Sequence, residues 1–160
     1  MGIKKLAVAL IAAAVVSGVG TAAPASAVDN IKVFGDQIRL IDSAGNTLIG
    51  YTVSDFGPSS APVPHNGELY EATLTVRGFG TWATPMILWF NARARSGDGY
   101  RVILDGPDAI TAAAVPPGGS NTGKLYFDVV GDVPNSVVYN DGNRDLLAWV
   151  PGESMGGNRP

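Results

Sequence analysis

His65 is the only histidine in the chain, and hydroxyl or thiol catalysis ordinarily needs such a base held beside its nucleophile by a third group. It lies within Pro62-Val63-Pro64-His65-Asn66-Gly67, a run of turn formers, and is therefore expected on a loop. Gly57-Pro58-Ser59-Ser60-Ala61 approximates a nucleophile elbow, but it lacks the final glycine and no helix can follow through the neighbouring prolines. Glycoside hydrolysis requires two converging carboxylates. Glu68 and Glu71 are an odd number of residues apart and point to opposite faces of one strand, so they cannot form that pair.

The cofactor and metal patterns are similarly incomplete. Gly78-Phe79-Gly80-Thr81-Trp82-Ala83 matches a loose dinucleotide fingerprint and follows a strand, yet Pro85 and a strand-like run occupy the place where a helix N-terminus would receive the pyrophosphate. Asp141-Gly142-Asn143-Arg144-Asp145 alternates oxygen ligands like a calcium loop. It lacks the glycine at the sixth position and the glutamate at the twelfth, and Asp-Gly is better explained as a hairpin turn. One histidine and no cysteine leave little for zinc. The expectation is no catalytic, cofactor-binding or metal site. Among the aromatic residues, Trp89, Phe90, Tyr126, Phe127 and Trp149 fall in strand-like runs, whereas Trp82 falls in a Gly/Thr/Pro loop. Trp82 is the one candidate for a binding surface, with the alternative role of covering the open end of a sandwich.

The elements that would position these residues have a period of two. Tyr70, Ala72, Leu74 and Val76 share one face, while Leu69, Glu71, Thr73, Thr75 and Arg77 share the other. Gly123, Leu125, Phe127 and Val129 alternate in the same way with Thr122, Lys124, Tyr126, Asp128 and Val130, as do Tyr100, Val102 and Leu104 with Arg101, Ile103 and Asp105. Met86–Phe90 is apolar on both faces. Its aromatic and β-branched content after Pro85 predicts a central strand rather than a short helix. Gly45-Asn46, Gly97-Asp98-Gly99 and Asp141-Gly142 predict three hairpin turns, and Ala109–Ala114 could form a helical turn within a long loop. Short, regularly spaced strands with turn signals between them indicate a sandwich or a barrel.

Lys4 and Lys5, the apolar run Leu6–Val16 and the small residues Ala25-Ser26-Ala27 form a secretory leader, with cleavage expected after Ala27. The apolar run is shorter than the roughly 20 residues needed to span a bilayer. Removing 27 of 160 residues leaves 133, one ordinary domain. With no cysteine, its core must stabilise the fold without disulfides. The formal charge is −3, and loss of Lys4 and Lys5 with no acidic residue takes it to −5. The remaining basic residues are scattered, which argues against nucleic acid or an anionic membrane as partner.

Val53-Ser54-Asp55, Ala72-Thr73-Leu74-Thr75-Val76, Phe90-Asn91-Ala92-Arg93, Tyr100-Arg101-Val102, Gly106-Pro107-Asp108, Thr122–Val129 and Asp145–Trp149 together resemble, in order, the mycobacterial secreted immunogenic proteins of the MPT sixty-three (MPB sixty-three) family. The likeness runs from about Leu40 to Val150, departing in the tail after Val150 and in Gly78–Pro85, where Trp82 stands. It implies an immunoglobulin-like sandwich, export and antigenicity, and it transfers no catalytic residue.

The expected protein is all-β, an immunoglobulin-like antiparallel β-sandwich of about eight or nine strands. A signal peptide occupies residues 1–27, the domain residues 28–150, and a disordered tail residues 151–160. The expected function is that of a secreted, non-catalytic protein of the immunogenic-antigen type, a binding or interaction module for a cell-envelope or host component, its partner an unknown protein or envelope component. The alternative is a small secreted enzyme or carbohydrate-binding domain.

Overall fold

The computed structural model describes residues 30–152; the leader with its cleavage site and the tail from Glu153 onward lie outside them. Nine strands follow one another: β1 (Asn30–Val33), β2 (Gln37–Ile41), β3 (Thr47–Pro58), β4 (Glu68–Gly78), β5 (Phe90–Ala94), β6 (Gly99–Ile103), β7 (Ser120–Val129), β8 (Pro134–Asn140) and β9 (Asp145–Val150). Hydrogen-bonded neighbours run β1-β9-β8-β5-β6-β7-β4-β3-β2. β6 serves both layers, because Arg101 and its predecessors pair with β5 while Val102 and Ile103 pair with β7. At the other edge the turn after β1 ties the layers together: Phe34 N–H donates to Val150 of β9 and Gly35 N–H to Val53 of β3.

The alternation predicted for β4 and β7 fills the space between the layers. Tyr70, Ala72 and Leu74 stand opposite Phe127, Leu125 and Gly123, and all of these apolar side chains are buried. From the facing layer come Phe90, Ala92, Val137, Tyr139, Leu147 and Trp149. Tyr51, Phe90 and Tyr139 form the aromatic centre, with ring centroids 4.9–5.2 Å apart, within the range in which aromatic pairs contribute beyond their buried area. Gly123 is required here, since a Cβ would lie 2.6 Å from Ile110 Cα, where the 106–119 loop inserts Ile110 into the core.

All three predicted hairpins form, joining β2 to β3, β5 to β6 and β8 to β9, and Gly142 takes the φ of +93° that its turn requires. Four details differ from the sequence expectations. β1 pairs with β9 in parallel, because the turn after it crosses between layers instead of folding back within one. Met86–Phe90 is not a central strand: Ile87–Trp89 is a 3-10 turn and β5 begins at Phe90. Met86 N–H donates to the Tyr51 hydroxyl at 3.4 Å and Trp89 N–H to the Met86 carbonyl at 3.1 Å, so neither enters a ladder. Ala109–Ala114 forms no helical turn, and Ala109 and Val115 instead bridge to Lys124 and Ala83. Leu69 and Tyr126, assigned by alternation to polar faces, are buried with Val63 in a small second core on the outer side of β4 and β7.

Candidate binding surface

The residues weighed for catalysis are dispersed and occupied. His65 Nδ1–H donates to the Val63 carbonyl at 2.6 Å. Ser59 donates to Glu71, whose other oxygen accepts from Lys124 Nζ at 2.9 Å. The Ser59 hydroxyl first, and Lys124 second, hold the Glu71 carboxyl below its ordinary range, while the bond to Glu71 holds Lys124 above its own. The ammonium therefore stays protonated at neutral pH and supplies no base for Ser59. Glu68 and Glu71 do not converge, and Glu68 is exposed.

The Asp141–Asp145 carboxylates face donors within the protein. Asp141 Oδ1 accepts the N–H groups of Asn143 and Arg144 at 2.8 and 2.9 Å, which lower its pKa, Arg144 most. Asp145, the buried charged residue of the described chain, accepts from the Arg93 guanidinium and from Asn140 Nδ2. No group of three or more potential metal-ligating residues occurs among the described residues.

The connection between β4 and β5 and the start of β5 border several concavities. Three of them lie along this stretch. The first, of about 260 Å³, is lined by Thr81–Thr84 with Leu40 and Leu48, and reaches the phenols of Tyr51 and Tyr139. Burial raises the pKa of both phenols, further for Tyr139 because Tyr51 adjoins it. The second is an apolar groove of about 450 Å³ between Thr84–Leu88 and Leu104 with Ala109–Ala112. The third is a polar pocket of about 390 Å³, on the outer face of β5, β6 and β8, lined by Leu88–Asn91, Arg93, Arg101, Asn140 and Asp141 among others.

The same segment carries exposed apolar side chains: Trp82 is 67%, Met86 44% and Leu88 69% exposed, and Leu104 across the groove is 52% exposed. Trp82 thus does not cap the core. Nearby, Phe79 is half-buried and clamped by Arg39 and Arg77, with guanidinium carbons 4.8 and 5.8 Å from its ring centroid. Among these exposed or pocket-lining residues, Trp82 stood out in the sequence, whereas Met86, Leu88, Asn91 and Arg101 did not. The available signal was the doubly apolar run Met86–Phe90: Ile87 and Phe90 are buried, whereas Met86 and Leu88 face outward.

Comparison with known proteins agrees with this architecture. A family described as a domain of unknown function, DUF1942, matches residues 29–149. The immunogenic protein MPB63 of Mycobacterium bovis is 38% identical over 152 residues, covering 92% of this chain and 96% of that protein. The immunogenic protein MPT63 of Mycobacterium tuberculosis matches equally, at 38% identity over the same shares. The crystal structure of MPT63, a secreted protein from Mycobacterium tuberculosis, superposes with a TM-score of 0.73 at 40% identity, covering 79% of this chain and all of that one. This secreted β-sandwich chain therefore belongs to the DUF1942 family, with the mycobacterial immunogenic proteins MPB63 and MPT63 among its relatives.

Proposed function

We propose that the chain is a non-catalytic binding module of the immunogenic-antigen type that engages a cell-envelope or host component through the Thr81–Arg93 segment. The supporting observation is the coincidence, on one stretch of chain, of exposed Trp82, Met86 and Leu88 with three adjoining depressions. Exposed apolar groups clustered beside concavities mark interaction sites, whereas isolated ones are ordinary surface. Tryptophan in such a setting supplies a large share of interface energy. An enzyme would need a nucleophile with a free base, and Ser59 faces Glu71 and protonated Lys124 instead.

The test is a paired measurement on Trp82→Ala: thermal melting, and capture of envelope and host-cell fractions by the mature domain. The reading predicts an unchanged melting temperature and a loss of capture of at least about tenfold, the consequence of removing a hot-spot tryptophan. Capture undiminished per folded molecule would refute it.

A further inference from the structure

The apolar groove and the polar pocket meet at Leu88, which lines both. The groove has no charged residue on its walls, and its only polar side chains are Thr84 and Thr111. In the neighbouring pocket most polar groups are committed. Arg93 is held by Asp145 and Asn91, Asn140 by Asp145 and the Gly142 N–H, and Asp141 Oδ1 by its own turn. Arg101 is different: its guanidinium makes no hydrogen bond or ion pair among the described residues. It stands opposite Asn91 on the outer face of β6, with Leu104 three residues farther along the chain. At the rise of an extended strand that places the Cα atoms of Arg101 and Leu104 roughly 10 Å apart.

An unpaired cation beside an uncharged hydrocarbon groove, with a 69% exposed leucine between them, is complementary to one kind of small molecule. Resting on the reading of Thr81–Arg93 as a binding surface, we propose that groove and pocket form a single site for a one-chain amphiphile with an anionic head. The chain lies between Met86 and Leu104 and covers Leu88, and the head accepts the guanidinium donors of Arg101. Each cavity falls within the size range of small-molecule sites, roughly 300–1,000 Å³. A guanidinium prefers a carboxylate or phosphate over a neutral hydroxyl, because the bond is charge-assisted and can be bidentate.

The experiment is calorimetric titration of the mature protein with octanoate, decanoate and laurate below micelle-forming concentrations, with dodecanol as the uncharged counterpart. The site predicts saturable one-to-one binding that tightens about fourfold with each added methylene, as burial of hydrocarbon requires. Arg101→Gln should weaken laurate by about tenfold or more and leave dodecanol unchanged. Leu88→Asp should weaken both, and both variants should melt with the parent because the two positions are exposed. Absence of saturable laurate binding, laurate affinity unchanged in Arg101→Gln, or binding only to vesicles of anionic phospholipid would each overturn the site. If laurate fails to bind while capture still depends on Trp82, the amphiphile site falls and the binding-module reading stands.

Discussion

The guanidinium of Arg93 on β5 is ion-paired to the carboxylate of Asp145 on β9, across the intervening strand β8. Asn140 of β8 donates to the same carboxylate and Asn91 of β5 accepts from the same guanidinium, so three strands share one polar network. Within it Val138 stands on the outer face of β8 between the rows of Arg93 and Asp145 and is buried. Three members of the network, Asn91, Arg93 and Asn140, also line the polar pocket.

Removing one member should be costly, because the Asp145 side chain is only 6% exposed and its charge would be left uncompensated. Arg93→Met is expected to lower unfolding free energy by about 3 kcal/mol, the lower end for a broken buried pair since the guanidinium is partly solvated. Asp145→Leu added to Arg93→Met should recover part of that loss. Urea denaturation of the single and double variants checks this, and a double variant less stable by the sum of the two single losses would contradict it.

The tryptophans should separate cleanly. Trp149 is fully buried and its Nε1–H donates to the Asp36 carbonyl at 2.9 Å, so Trp149→Ala should cost about 3–5 kcal/mol. Trp82→Ala should shift stability by no more than about 0.5 kcal/mol, as surface substitutions do. Denaturation midpoints of the two variants decide the matter.

That separation also marks how far the sequence was legible. Period-two alternation identified β4, β6 and β7, and Gly45, Gly97 and Gly142 marked the three hairpins, because pleat geometry and turn dihedrals are local constraints. Loop cover was not local: Leu69 and Tyr126 are buried by contact with Val63, which is distant from Tyr126 in the chain. The parallel β1–β9 pairing likewise depends on a crossing between layers that no β1 residue encodes. The exposure of Trp82 was legible in its glycine- and proline-rich setting. That of Leu88 and Met86 was not, since an apolar run reads the same whether it is buried on both sides or displayed on one.

Stability should fall at both pH extremes. The N–H groups of Gly67 and then Asn66 hold the Asp128 carboxyl below its ordinary value, as those of Arg144 and Asn143 do for Asp141. A depressed folded pKa stabilises the native state above the unfolded value, about 4, and that stabilisation is lost as pH falls through the folded value. Asp128→Asn should therefore flatten the acid limb of a plot of denaturation midpoint against pH. On the alkaline side burial raises Tyr139 and Tyr51, so their contribution is complete below about pH 10 and declines above it, where the unfolded chain ionises first. A native state that gained stability above that pH would contradict the assignment.

Export should release a chain beginning at Val28, since Ala25-Ser26-Ala27 offers small residues at the cleavage site. N-terminal sequencing of the protein from culture medium tests this, and a retained Met1 would contradict it.

Binding through the β4–β5 connection is checked most directly by hydrogen exchange on the mature domain with and without its captured component. Slowed exchange is expected in the amides of Thr81–Arg93, with little change along the outer face of β4 and β7 at Thr75, Thr122 and Lys124. Protection confined to that opposite face, with Thr81–Arg93 exchanging as in the free protein, would contradict it.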